Sequence, residues 1–391
     1  MNYIKKLSER NRLMDSKIVR DSLSTFGVDN LISLAAGHPA AESLDYELFK
    51  ESVDKVLGKN DLSLMNYSFS NGIPQLREAV ARFLKRTQNL EIDSRSVGIS
   101  SGSQVTIDTV CKAFLDEGDV VLVEECTFLA ALQSMQSCKA QIVPIPMDSE
   151  GIIISEYERL IEKYDVKLTY LIPTFQNPSG YTLSEQRRTA LAKIIKYNDL
   201  IVLEDDPYGH INFNDKQINS IYSLAAENVI YLGTFSKSIG PGLRVGFYTG
   251  PFELIDQINA MRFSVDVHAN VLAQNVVVEI LDNERFYTNV KKMSSIYKVR
   301  KDIMVEALNK YLPESYSYAE PEGGMFIWLQ GENDIDSDLI YKKAINNGVS
   351  FVPGTLFTPN KLDGKNKLRL NFSSPDLKSI DEGIKKLSEI L

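Results

Sequence analysis

Four short stretches of the chain carry residues able to do covalent or acid–base chemistry. In "TFSKSIGPGLRVG", residues 234–246, Lys237 follows the apolar run "NVIYLG", which reads as a buried strand. The amine therefore sits just past a strand end, where burial can keep it neutral and nucleophilic, although a surface lysine fits this stretch alone equally well. "LTYLIPTFQNPSG" delivers Asn177 from another strand end, held by Pro178 and Gly180 in a turn. "LIVLEDDPYG" delivers Asp205 in the same way, with Tyr208 three residues on. In "GISSGSQVTIDTVCKAF" a strand gives way to Ser103 and Gln104 and then to a helix. Free N–H groups and the dipole at such a helix start attract anions, and Arg244 supplies a cation to complete the cradle. Singly, each has a structural explanation: a turn-starting Asn, a loop acid, a packed phenol, a serine cap. Together they form an amine, a carboxylate, a phenol–amide pair and an anion site.

The elements that must position them are strands alternating with helices. "SVGISS", "GDVVLVEE", "AQIVPIPM", "KLTYLIPT", "DLIVLEDD", "NVIYLGTF" and "RVGFYTG" read as strands. "QVTIDTVCKAFLDEG" and "SEQRRTALAKIIKYN" read as helices, the second capped by Ser184. This alternation predicts an α/β fold with a mainly parallel sheet covered on both faces, whose ligands bind outside the carboxyl ends of the strands. After Pro251 the pattern is helical, with one long helix over 284–312. "GGMFIWLQG", "GVSFVPG" and "KLRLNFSS" then read as short strands before a last amphipathic helix, a smaller α+β domain. The expected division is residues 1–45 joining the small domain, 46–285 as the large domain and 286–391 as the small one.

Other chemistries are excluded. A P-loop needs glycine where Ser236 and Tyr231 stand, and "GPGLRVG" has the wrong spacing for a dinucleotide fingerprint. A net charge of −9 over 391 residues disfavours nucleic acid and anionic membrane as partners. Three cysteines without a C-x-x-C pair and three scattered histidines predict no disulfide framework and no metal centre. The charged N-terminal stretch lacks the apolar core of a signal peptide, and no apolar run reaches the ~20 residues of a membrane span. A cytoplasmic protein is expected.

An amine, a carboxylate, a phenol–amide pair and an anion cradle match the aldehyde, ring nitrogen, ring hydroxyl and phosphate of pyridoxal 5'-phosphate. The sequence resembles fold-type I pyridoxal-phosphate aminotransferases of class I/II. Within them it is similar to the branch holding 2-aminoadipate and kynurenine aminotransferases and the aminotransferase-like domains of MocR-type regulators. The resemblance runs through "ISLAAGHP", "NYSFSNGIPQLREAV", "SGSQ", "QNPSGYTLS", "EDDPYG", "TFSKSIGPGLRVG", "PEGGMFIWL" and "LRLNFSS" in that order. It implies that Lys237 joins the cofactor aldehyde and shuttles the proton, that Asp205 pairs with the ring nitrogen, and that Asn177 and Tyr208 hold the ring hydroxyl. It implies phosphate contacts from Ser103, Gln104, Thr234, Ser236 and Arg244, and ring stacking by Phe128. Arg369 is implied to bind the substrate carboxylate, with Asn177 and Gly37 beside it. Tyr67 is implied to reach the partner subunit's site, hence a homodimer with shared active sites. Arg20 is implied to meet the substrate side chain or its distal carboxylate.

Two departures bear on substrate: "AAGHP" stands where relatives often have two glycines, so His38 is expected to alter the substrate mouth, and Phe128 stands where tyrosine is common. The expected reaction is transamination between an L-amino acid (2-aminoadipate, glutamate, aromatic or aliphatic) and a 2-oxo acid such as 2-oxoglutarate. A β-lyase or decarboxylase on the same scaffold is the rival enzyme. The rival from another class is a MocR-like effector-sensing domain. Such regulators place a winged-helix domain first, and the "ISLAAG" strand beginning by residue 32 is expected to leave no room for one.

Overall fold

A computed structural model describes residues 3–13, 31–214 and 216–391. Arg20 lies outside the described residues. The predicted strands form β2 (Val97–Ser100), β3 (Val120–Glu124), β4 (Gln141–Ile145), β7 (Val166–Leu171), β8 (Val202–Asp206), β9 (Val229–Thr234) and β10 (Gly246–Thr249). They make one seven-stranded sheet in the order β2-β10-β9-β8-β7-β3-β4, while β5 (Met147–Asp148) and β6 (Gly151–Ile152) pair separately as an antiparallel ribbon. Strands β4, β3, β7, β8 and β9 are mutually parallel, and β10 runs antiparallel to both neighbours.

Burial on both faces explains why these strands read as continuous apolar runs. In β3, Val121 and Val123 pack on one face with Ile107, Val110 and Leu203, while Val120 and Leu122 pack on the other with Leu191 and Ile195. The helices Ser103–Phe114 and Glu185–Tyr197 thus cover opposite faces. Ser184 caps the second, its hydroxyl accepting from Arg187 N at 3.4 Å.

A second core surrounds a four-stranded sheet of β11 (Tyr316–Ser317), β12 (Phe326–Gly331), β15 (Lys367–Asn371) and β14 (Val352–Pro353). "GVSFVPG" is not one strand, as its apolar run suggests, but two. β13 (Val349–Ser350) pairs parallel with β1 (Ile32–Ser33), while β14 pairs antiparallel with β15. Phe351 between them is fully buried in the small-sheet core, and Val352 turns to a separate cluster with Trp328 and Phe357, so the chain changes sheets there. The helix Glu284–Tyr311 joins the two bodies. Its Phe286 packs beside β2, whereas Met293, Tyr297, Met304 and Leu308 belong to the small-sheet core. Among the described residues no helix is long and apolar enough to cross a membrane.

Candidate active site

Strands β7, β8 and β9 are neighbours and parallel, so their carboxyl ends come together, and Asn177, Asp205 and Lys237 meet there. They line a cavity of about 290 Å³ with Gly37, Ser103, Gln104, Phe128, Tyr208, Thr234, Ser236, Arg244 and Arg369. A larger cleft of about 520 Å³ lies behind the Asp206–His210 turn and holds neither the amine nor the anion cradle. The chemistry therefore belongs to the smaller cavity.

Lys237 Nζ donates to the Gly37 carbonyl at 2.9 Å. Burial, then the charges of Arg369 and Arg244, lower its pKa to about 8, with Asp205 opposing them. Asp205 is buried at the end of β8, and burial first, then Asp206, push its pKa up to about 7 against the hydrogen bond from Tyr170 and the charge of Lys237. Its Oδ2 accepts from Tyr170 at 2.7 Å, while its Oδ1 is buried without a partner.

Arg369 arrives from β15 and is buried, its guanidinium carbon 4.2 Å from the Phe326 ring centre and 4.8 Å from that of Phe357. It donates to Asn177 Oδ1 at 2.8 Å and to the Ala35 carbonyl at 2.7 Å. Asn177 Nδ2 in turn donates to the Tyr208 hydroxyl at 3.3 Å. Burial lowers the Arg369 pKa to about 10, so the side chain stays cationic at neutral pH.

The anion cradle is built by backbone. Gly102 has φ +94° at the start of the helix Ser103–Phe114, and a Cβ there would lie 2.4 Å from Arg244 Nη2. Glycine thus lets the guanidinium reach the helix start, where it also donates to Ser101 O at 3.3 Å. Thr234 and Ser236 hydroxyls lie 3.0 Å apart beside it. Gln104 lines the cavity, but its amide nitrogen is committed to Ala130 O and Ser134 Oγ. Phe128 is half-buried where the helix Leu129–Ser137 begins.

Tyr67 is not in this cavity: it is 84% exposed, with its ring edge-on to His268 at 5.9 Å. His38 is exposed at the mouth of the site, and partial desolvation followed by the charge of Lys237 lowers its pKa. Sequence reasoning assigned no role to Tyr170, Ile172, Phe326 or Phe357. As apolar or aromatic strand and loop residues they read as core, and only their long-range contacts give them a place here.

Cofactor-free chain should show the lowered lysine directly. Only the neutral amine reacts, so competitive reductive methylation should label Lys237 with a half-point near pH 8, below ordinary surface lysines. Reaction in the ordinary lysine range would mean the site is wetter than its geometry implies.

A parallel-sheet fold with an amine, a carboxylate and an anion cradle at the strand ends defines a pyridoxal-phosphate-type transferase. The sequence matches class I and II aminotransferases over residues 29–387, and the chain belongs to that family. It is 34% identical to aromatic-amino-acid aminotransferase 1 of Thermococcus litoralis, across 100% of this chain and 95% of that protein. Identity to the 2-aminoadipate transaminase of Thermus thermophilus is 31%, across 97% and 94%. The structure of Pyrococcus horikoshii kynurenine aminotransferase in complex with PMP superposes with a TM-score of 0.95 at 35% identity, covering 100% of this chain and 97% of that one. The protein is a pyridoxal-phosphate-dependent enzyme that transfers amino groups between amino acids and 2-oxo acids. Its own residues fit the cofactor: Asp205 Oδ1 is a buried orphan acceptor, Gly102 opens the cradle under Arg244, and the Lys237 amine faces the same space.

Proposed function

We propose that the enzyme takes aromatic, aliphatic and dicarboxylic L-amino acids, 2-aminoadipate and glutamate among them, with 2-oxoglutarate as a principal acceptor. The carrying observation is the convergence of Lys237, Asp205, Asn177 and Tyr208 at adjacent strand ends, facing Arg369 across one cavity. Pyridoxal phosphate supplies an aldehyde that condenses with amines and a ring that accepts the electrons freed at the substrate Cα. Lys237 would hold the cofactor through Nζ and, once an amino acid takes its place there, would move the substrate Cα proton on the same atom. A pKa near 8 suits that exchange, because the amine is poised between its two states near neutral pH. Asp205 would hold the ring nitrogen, Asn177 and Tyr208 the ring hydroxyl, and Ser103, Gln104, Thr234, Ser236 and Arg244 the phosphate, with Phe128 against the ring. Arg369 and Asn177 orient the α-carboxylate, which Gly37 admits by having no side chain to fill the space against Phe326. A Cβ at Gly37 would lie 2.7 Å from that ring.

Side-chain breadth is supported by the apolar cavity wall of Phe128, Leu129, Ile172 and Phe326, and by the aromatic and 2-aminoadipate names of the relatives. Arg20 is the residue we assign to distal carboxylates. A panel of amino donors with 2-oxoglutarate, followed by the cofactor spectrum, tests the reading. Each productive donor should convert the cofactor stoichiometrically to its amine form and yield glutamate. Release of ammonia or carbon dioxide with the cofactor unconverted would favour a β-lyase or decarboxylase.

We further read residues 46–285 as the cofactor-binding domain and 286–391, joined by 1–45, as the smaller one, a division supported by their separate cores. Free cysteines suit a cytoplasmic enzyme. A homodimer is supported by the apolar side chains that the 62–69 segment leaves exposed, Leu62, Met65, Tyr67 and Phe69, beside Val267 and Leu272. Tyr67 would complete the partner's site. Mixing a Tyr67→Ala chain with a Lys237→Ala chain should then restore activity, since each hybrid dimer has one site free of both substitutions. Stable hybrids without activity would place Tyr67 in its own chain's site.

A further inference from the structure

We infer that Tyr170 is a positioning residue for the reaction: its hydroxyl fixes the Asp205 carboxylate, occupying one oxygen and leaving the other for the cofactor. This rests on the role proposed above for Asp205. Tyr170 in β7 pairs with Leu203 in β8, two residues before Asp205, so the side chains of Tyr170 and Asp205 share a face of the sheet. Both are buried, and the Tyr170 hydroxyl donates to Oδ2 at 2.7 Å. Oδ1 has no partner. Among the described residues no other group donates a hydrogen bond to this carboxylate.

The surroundings make that single donor consequential. Asp206 follows Asp205 in β8 and disfavours its charge, while Lys237, beyond the end of β9, favours it. Glu124, at the end of β3, is another buried acid, but its Oε2 is held by Ile172 N, Gln176 Nε2 and Thr127 Oγ1 at 3.0, 3.1 and 3.3 Å. It makes no hydrogen bond to Asp205, though the two charges disfavour each other. The Tyr208 phenol, on the same turn, is engaged with Asn177. Burial is the largest influence on Asp205 and drives it toward the neutral acid, and the Tyr170 hydrogen bond opposes that. Burial and the Asp205 charge also hold the Tyr170 phenol in its neutral, donating form. A charged Asp205 can keep the cofactor's ring nitrogen protonated; a neutral one cannot.

Tyr170→Phe removes the hydroxyl and keeps the ring in the core. In the holoenzyme kcat should fall about 10- to 100-fold, as for loss of a hydrogen bond to a charged group, with KM for the amino donor changing less than about threefold. Reconstitution with cofactor isotopically labelled at the pyridine nitrogen should show by NMR that this nitrogen loses its proton at lower pH in Y170F than in wild type. The double variant Y170F/D205N should be no slower than D205N alone, because the hydroxyl acts only through the carboxylate. Thermal denaturation of each variant serves as the fold control. An unchanged nitrogen titration in Y170F, or losses that multiply independently in the double variant, would overturn the inference while leaving the role of Asp205 intact. A D205N enzyme with wild-type rate and nitrogen titration would overturn both.

Discussion

Lys237→Ala should abolish transamination while leaving a folded protein that still binds the cofactor. On the proposed reading the substitution removes both the group that would hold the cofactor covalently and the base that would move the Cα proton. General acid–base catalysis alone is worth roughly 10²–10⁴, so loss of both functions should lower turnover about ten-thousand-fold or more. The fold has little to lose. Among the described residues Lys237 Nζ makes one hydrogen bond, to Gly37 O, and its folded pKa lies below its unfolded value. For such a cation, folding is penalised below about pH 8, and the penalty is relieved as pH rises toward the ordinary lysine value. Removing the amine therefore removes a destabilising charge at neutral pH. Arg244, the helix start at Ser103 and Asp205 remain to bind cofactor noncovalently. Borohydride reduction of the wild-type holoenzyme followed by peptide mapping should place the label on Lys237. A label on any other lysine would remove the central assignment.

The sequence made this lysine legible because strand and function coincide there. An apolar run marks β9, and the polar residue just past its end has to emerge where the parallel strands open. Asn177 and Asp205 were readable by the same argument, and sheet order then put all three strands side by side. The rest of the site depends on contacts no local pattern encodes. Arg369 alternates with apolar neighbours in β15, and alternation alone allows a solvated side chain. It is buried because Ala35, 334 positions away in the chain, offers a carbonyl and Phe326 and Phe357 offer their rings. Tyr170 read as an ordinary core aromatic in a buried strand, and only the register of β7 against β8 brings its hydroxyl to Asp205. The break at Phe351 is hidden in the sequence for a related reason: both halves of "GVSFVPG" are equally apolar, and the change of sheet is set by their partners β1 and β15. Tyr67 is the opposite case, an aromatic that pattern reading would bury and that the isolated chain leaves almost wholly exposed.

Asp205→Ala should slow turnover about 100- to 1000-fold, the range for removing one preorganised electrostatic partner from a water-poor site. Substrate affinity should change much less, because Arg369 and Asn177, the residues we assign to the α-carboxylate, lie on other elements. The loss should fall on one step. In the proposed reaction the electrons left when Lys237 takes the Cα proton would need a positively charged ring nitrogen, and the carboxylate at the end of β8 would sustain that charge. Removing it leaves Lys237, Arg369 and the anion cradle in place but makes the proton harder to pull away. A substrate deuterated at Cα should therefore show a kinetic isotope effect at least as large as with wild type, since proton removal becomes more fully rate-limiting. The Tyr170 hydroxyl, deprived of its acceptor, would be left as a buried unpaired donor, so a modest fall in Tm should accompany the kinetic loss. Near-normal turnover with an undiminished cofactor spectrum would show that the essential carboxylate lies elsewhere, with buried Glu124 at the end of β3 the next to substitute. A rate loss matched by an equal rise in KM and no isotope effect would instead assign Asp205 to shaping the cavity.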